Sequence, residues 1–259
     1  MVRLIASLFS NAALAVMFGF GGLVALIRVY GGDLPSHDEL RDYRPKMLSR
    51  VYSGEGQVIA EYARERRVFV PIDEVPDMVK QAFISAEDKN FYSHPGVDMS
   101  GIMKAIVRYG RARAQGRRAR LSGASTITQQ VMKNFLVGDE RSMERKIKEG
   151  ILAVRVEQTF TKDQILELYL NDIFLGARSY GIVAAAENYF GKTLEELEPQ
   201  EAAYLAALPK APSNLHPIKN HDRAFERRNY VLREMAENGA LRKEISEQLQ
   251  QEPLKTQLG

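Results

Sequence analysis

The alternation of apolar and polar positions changes character three times along the chain. From Leu4 to Ile27 there is no charge, and only Ser7, Ser10 and Asn11 interrupt the apolar run. That length predicts a helix able to cross roughly 30 Å of hydrocarbon. A cleaved signal peptide using Ala13-Leu14-Ala15 is the alternative, but it would leave the apolar stretch Val16 to Ile27 as the new terminus, so an uncleaved anchor over residues 1–30 is expected. Arg3 and Arg28 flank the span and barely decide its orientation. The Gly19-Phe20-Gly21-Gly22 run has no strand before it, so helix packing in lipid is a better reading than a nucleotide loop. A polar linker, 31–49, follows. The rhythm then becomes that of short strands: Arg50 to Tyr52, a turn at Ser53-Gly54-Glu55-Gly56, Val58 to Tyr62, and Val68 to Ile72. From Glu74 onward the period is helical. Thr161 with Gln164 and Thr193 with Glu196 read as capping boxes, Pro199 suits a first helical turn, and Gly191 and Gly239 suit helix ends.

Composition narrows the possibilities. The chain has 259 residues, 45% of them hydrophobic and 27% charged, which suits one sizeable core but not two full enzymes. With no Cys, thiolate metal sites, disulfides and cysteine nucleophiles are excluded. His37, His94, His216 and His221 show no zinc-binding spacing. The net charge of +3 points only weakly to a polyanionic neighbour. One segment, Arg108 to Arg120, holds six arginines broken by Gly110 and Gly116. It reads either as a mobile solvated loop or as a contact for anionic lipid or pyrophosphate; the expected anchor argues against nucleic acid.

The candidate chemistry begins at Glu87. Val75, Val79, Ala82, Phe83 and Ala86 recur at helical spacing and define a core-facing stripe, and Glu87 falls at its edge, four residues after Phe83. Partial desolvation there should raise its carboxyl pKa toward the range useful to a general base or acid. Glu149 lies on a similar stripe with Leu152 and Val156, so it too should be only partly solvated. Arg145 and Lys146 lie within four residues of it. Arg145 and Glu149 could also be an ordinary intrahelical pair, and either Arg145 or Lys146 alone could be a solvated helix face. Ser125, Thr126, Gln129 and Gln130 can hydrogen-bond sugar or phosphate oxygens, or can cap a turn or helix, a task that suits Thr128 best. His94 reads first as a structural hydrogen-bonding residue. Tyr169 and Asn171 read as scaffold, and Glu167 as exposed.

The run Glu87-Asp88-Lys89-Asn90-Phe91-Tyr92-Ser93-His94-Pro95-Gly96 resembles the first signature of glycosyltransferase family 51, the peptidoglycan polymerases of class A penicillin-binding proteins and their monofunctional relatives. Further motifs follow in that family's order: Gly123-Ala124-Ser125-Thr126-Ile127-Thr128-Gln129-Gln130, Arg145-Lys146-Ile147-Lys148-Glu149, Ile165-Leu166-Glu167-Leu168-Tyr169-Leu170-Asn171, and Tyr189-Phe190-Gly191-Lys192 leading to Leu208-Pro209-Lys210-Ala211-Pro212-Ser213. Asn214-Leu215-His216-Pro217 departs from the pattern. The resemblance implies a mostly α, lysozyme-like two-lobed domain over 50–220 with a small N-terminal β element and an N-terminal transmembrane helix. The polar tail from Glu244 to Gly259 makes the C-terminal helical segment, 221–259, read as the start of a linker to a transpeptidase domain of the kind the bifunctional relatives carry.

In activity, the resemblance implies an inverting polymerisation of undecaprenyl-pyrophosphate-linked disaccharide-peptide, lipid II, into β-1,4 glycan. Glu87 and Glu149 would be catalytic, with Asp88, Ser125, Thr126, Gln129, Gln130, Lys133, Arg141, Arg145 and Lys146 binding substrate. The resemblance leaves room for a divalent cation, Mg or Mn, at the pyrophosphate and implies no tightly bound cofactor. Expected partners are lipid II, the growing glycan strand, the cytoplasmic membrane and other wall-synthesis proteins. The expected location is the inner membrane, single-pass, with the catalytic domain outside. A muramidase-type hydrolase is the nearest rival, and the cationic cluster argues against it, since an uncharged sugar leaving group needs a proton donor instead. A non-catalytic scaffold is the other, and the paired glutamates argue against that.

Overall fold

The computed structural model describes residues 68–117, 125–133 and 143–258, with shorter stretches at 21–22, 25, 28–32, 34, 49–52 and 58–62. Two strands, β1 (Ser49–Tyr52) and β2 (Val58–Tyr62), pair antiparallel. Nine helices follow among the described residues from 68 onward: α1 (Asp77–Glu87), α2 (Met99–Ala114), α3 (Ile127–Met132), α4 (Met143–Thr159), α5 (Lys162–Asp172), α6 (Ile182–Phe190), α7 (Pro199–Ala207), α8 (His221–Glu237) and α9 (Lys243–Leu249).

Helix α7 is the centre of the packing. It starts at Pro199, whose missing N–H costs nothing in the first turn, and Glu198 and Glu201 form a capping box around it. Ala202 to Ala207 are all buried, and the small side chains let α1 and α8 approach from different sides. Against this axis α1 places Val79, Ala82 and Phe83, none of which retains exposed surface. Truncating a buried Phe of this kind typically costs about 3–5 kcal/mol. Phe83 meets Tyr169 of α5 edge-on, with ring centroids 6.3 Å apart. Helix α3 packs on both α4 and α5, which joins the second group of helices to the first. The chain then closes on itself at its C-terminal end, where the Gln257 N–H donates to Tyr189 O at 2.8 Å and Leu254 packs on the core.

Several expectations are corrected here. The described residues form a mostly helical domain around one apolar core, not a two-lobed domain with a three-stranded β element and a membrane helix. Val68 to Ile72 is not a strand. Pro71 has no N–H to give, and the backbone groups on either side are claimed by side chains of α5. Asn171 accepts from Val70 N–H at 2.9 Å and donates to Val70 O at 2.8 Å, while Glu167 accepts from Ile72 N–H at 2.8 Å. Glu167 is therefore partly buried and structural, not exposed.

The expected membrane span is corrected as well. No helix among the described residues is long and apolar enough to cross a membrane, and a crossing helix needs about 20 apolar residues. The expected single-pass location accordingly has no crossing helix among the described residues behind it. Of Leu4 to Ile27 only Gly21, Gly22 and Ala25 are described, all helical; the rest lies outside the described residues, as do the Ser53–Gly56 turn and most of the linker.

The arginine-rich segment also differs from a loop. Up to Ala114 it forms the last turns of α2, because Ala and Arg are good helix formers and tolerate one internal glycine. It ends at Gly116, where φ is +68°. Arg117 N–H bonds to Ala112 O and Gly116 N–H to Arg113 O, the paired bonds of a Schellman stop. Gly116 is thus a terminator of this helix. Arg118 and Arg120 lie outside the described residues. Thr161 and Gln164 do form a capping box at α5, and Gly191 ends α6 in a left-handed conformation. Thr193 N–H bonds to Glu196, but the pair closes only a turn before α7 begins at Pro199.

Candidate active site

Helix α1 ends at Glu87, and its termination presents two adjacent carboxylates to opposite tasks. Asp88 leaves helical geometry with φ −158° and ψ 74°, turning its side chain inward. It accepts from His94 Nε2 at 3.0 and 2.9 Å and from the Ile127 N–H at 2.9 Å. The acceptor is thereby anchored at the first turn of α3, where backbone donors lack intrahelical partners. His94 Nδ1 accepts from Gly96 N–H at 3.1 Å, so the ring uses one nitrogen as acceptor and the other as donor. Asp88 is thus engaged by the protein on both oxygens and joins α1 to α3.

The rest of the first motif serves the same junction. Phe91 is fully buried, with the Lys162 ammonium 4.6 Å from its ring centre. Lys162 also donates to His94 O at 2.7 Å and to Glu157 at 2.6 Å. Gly96 adopts φ +92°, and a Cβ there would lie 2.6 Å from the backbone oxygen of Ala153 in α4. Only glycine satisfies both demands. Thr126 donates to Gly96 O at 2.6 Å.

Thr126 and Gln129 form the capping box of α3: Thr126 Oγ1 accepts from Gln129 N–H at 3.1 Å, and Gln129 Oε1 accepts from Thr126 N–H at 3.0 Å. The cap is therefore Thr126 and not Thr128, whose hydroxyl donates to Glu157 at 2.6 Å. The signal was present in the Thr126-Ile127-Thr128-Gln129 spacing. These two side chains shape α3 and reach no open surface, both residues being buried.

With α3 fixed, Gln130 points at Glu87: its Nε2 donates to Glu87 Oε2 at 2.9 Å. Arg227 of α8 brings Nη2 to 3.9 Å from Glu87 Oε1, each side chain being 14% exposed. Burial pushes the Glu87 carboxyl above its ordinary value; the Gln130 hydrogen bond, Arg227 and Lys210 pull against this, and Asp88 adds to it. Tyr169 sits behind, its hydroxyl buried and without a hydrogen-bond partner among the described residues, held well above the usual phenol range by burial and by the negative charge of Glu87 and Asp88. Arg227 and Lys210 were not among the expected site residues. Lys210 stood in a motif without a role, and Arg227 lies 140 positions from Glu87 with nothing in local spacing to connect them.

The second cluster forms where α4 meets the flanks of α3. Glu149, 5% exposed, is in contact with Lys146 Nζ through Oε2 and lies 3.5 Å from Arg145 Nε through Oε1. Lys146 also donates to Ser125 Oγ at 3.0 Å, and Arg145 Nη2 to Lys133 O at 3.3 Å. Ser125, Lys133, Arg145, Lys146 and Glu149 are therefore one assembly, while Arg141 lies outside the described residues. No group of three or more His, Asp or Glu side chains among the described residues could hold a metal ion. Here Glu149 faces a cation with each oxygen, so these residues do not fit a protein-built metal site. Helix α3 is common to both clusters, giving Gln130 to Glu87 and its two ends to the cationic assembly.

The family described as Transglycosylase matches residues 55–236, and the chain belongs to it. That makes it a glycosyltransferase domain, in agreement with the motifs that resemble family 51. Penicillin-binding protein 1A of Rickettsia felis is 48% identical over 246 residues, covering 93% of this chain and 30% of that protein. The protein of the same name from Rickettsia prowazekii is 51% identical over 231 residues, covering 88% and 29%, and that from Escherichia coli is 44% identical over 245 residues, covering 94% and 28%. The chain spans about 30% of the length of these relatives.

Proposed function

We propose that this domain polymerises lipid II, an undecaprenyl-pyrophosphate-linked disaccharide-peptide, into β-1,4 glycan with inversion at the anomeric carbon. The acceptor's 4-hydroxyl oxygen attacks the donor's anomeric carbon while Glu87 takes the hydroxyl proton. The bond from that carbon to the phosphate oxygen breaks, and its electron pair leaves with undecaprenyl pyrophosphate. Such a step needs a carboxylate with a free lone pair on the nucleophile side and positive charge on the leaving-group side.

The observation that carries this reading is the division of labour between the two buried glutamates. Glu87 accepts one hydrogen bond, on Oε2, from a neutral amide, and its carboxyl is raised by burial, as suits a general base. Glu149 is held among Lys146 and Arg145, with Ser125 and Lys133 attached, and is suited to arranging cations against a pyrophosphate. Arg141 joins them in this reading. Gln130 positions Glu87, whereas Asp88, Thr126 and Gln129 support the geometry from behind.

The test is incubation of the purified domain with lipid-linked disaccharide. Glycan polymer with release of undecaprenyl pyrophosphate is the expected product. Shortened fragments from preformed glycan, without polymer, would establish a hydrolase instead, and no product from either substrate would establish a scaffold.

A further inference from the structure

Helix α8 begins where the sequence suggested that the domain was already over, yet it packs on α1 and α7. On the face turned toward α1 it carries Arg227. Its guanidinium lies over the Tyr230 ring, 4.4 Å from the ring centre, three residues along the same helix. From there Nη2 reaches to 3.9 Å from Glu87 Oε1. That separation is too long for a hydrogen bond and short enough for strong charge interaction in a poorly solvated site. Arg227 Nε is buried and has no hydrogen-bond partner among the described residues, an arrangement that packing alone would not favour, since an apolar side chain would fill the space without an unpaired donor.

We propose that Arg227, seconded by Lys210, is a positioning residue that keeps the buried Glu87 carboxylate charged while leaving Oε1 free to take a proton. The inference rests on the reading of Glu87 as general base. A direct hydrogen bond from Arg227 would occupy the lone pair that the reaction needs; a cation held 3.9 Å away stabilises the charge without blocking the oxygen. The groups that face Glu87 are Asp88 at the end of its own helix, Gln130 from α3, Tyr169 from α5, Lys210 after α7 and Arg227 from α8. Asp88 opposes ionisation, Gln130 is neutral and Tyr169 stays protonated, so the favourable charge comes from Arg227 and Lys210. Lys210 is itself held below the usual lysine range by partial burial and by Arg227 and Arg108, against the pull of Glu87.

The experiment is the pH dependence of kcat/KM for the pyrophosphate-linked donor in the wild-type protein, Arg227→Gln, Arg227→Lys and Lys210→Gln. Removing a cation beside an acid raises that acid's pKa, so the acidic limb should move to higher pH. The expected shift is about one pH unit in Arg227→Gln, equivalent to about a tenfold loss below the limb. A smaller shift in the same direction is expected in Lys210→Gln, and a return toward wild type in Arg227→Lys. A role in folding alone would lower activity at every pH and leave the limb in place. If Arg227→Gln does not fold, Lys210→Gln decides, because Lys210, though partly covered near Glu87, keeps much of its surface in solvent. An unmoved limb in the glutamine variants overturns the proposal. Glu87→Gln separates the two levels: if it is inactive while the limb stays put, only the role of Arg227 is lost; if it turns over normally, the general-base reading fails and this inference with it.

Discussion

Glu87 and Glu149 are both largely withdrawn from water, with side chains 14% and 6% exposed, but their neighbourhoods differ in kind. Glu149 lies against an ammonium with one oxygen and faces a guanidinium with the other. Glu87 has a neutral amide on one oxygen and a cation held off at 3.9 Å from the other. Burial alone therefore does not assign a carboxylate its role. What separates them is whether the remaining lone pairs are taken: Glu149 has its charge answered on both sides, and Glu87 keeps an oxygen available. Asp88, one residue away, is a third case, closed by His94 and the start of α3.

The largest stability effect should come from Asp88. Asp88→Ala leaves the Ile127 N–H and the His94 Nε2–H without their acceptor, at about 1–3 kcal/mol for each buried donor. Denaturant unfolding should show this loss, whereas Glu87→Gln should show none. Equal destabilisation by the two substitutions would erase the distinction between a structural and a reactive carboxylate.

Next come the cations of the second cluster. Lys133→Ala and Lys146→Ala should each weaken donor use by about 1–3 kcal/mol per lost charge-assisted contact, raising KM for the pyrophosphate-linked donor. The acidic limb of the rate profile should stay where it is, because neither lysine faces Glu87. Unchanged donor saturation in both variants would remove the cluster from the leaving-group side.

The smallest effect concerns stability and pH. The Glu87 carboxyl is raised in the folded state by burial, so its contribution is fully present below the ordinary carboxylate pKa and is lost as pH rises through the raised one. Glu87→Gln removes that penalty. The variant should melt slightly higher than wild type at neutral pH, and the difference should close on acidification. A variant that melts lower at neutral pH would mean that the charged form of Glu87 stabilises the fold.

The helical body, the stripe that buries Phe83 and the partial burial of both glutamates were legible because they depend on local periodicity. The capping at Thr126 and Gln129 was written in the same spacing, but hydroxyl and amide side chains serve caps and sugars alike, and only the observed bonds separate the two. Val68 to Ile72 looked like a strand because its apolar residues gave no sign that Asn171 and Glu167, about a hundred positions on, would claim its backbone. Arg227 was hidden for the same reason: its meaning depends on α8 packing against α1.

The most direct test measures donor binding and single-turnover polymerisation side by side in Glu87→Gln and Glu149→Gln. Glu87→Gln should bind the donor as wild type does and lose about 100-fold or more in the chemical step, the usual contribution of a positioned general base. Glu149→Gln should lose donor affinity as well as rate. If instead Glu149→Gln loses only the chemical step while Glu87→Gln loses donor binding, the two carboxylates have the reverse roles, and near wild-type turnover in Glu87→Gln would contradict the account outright.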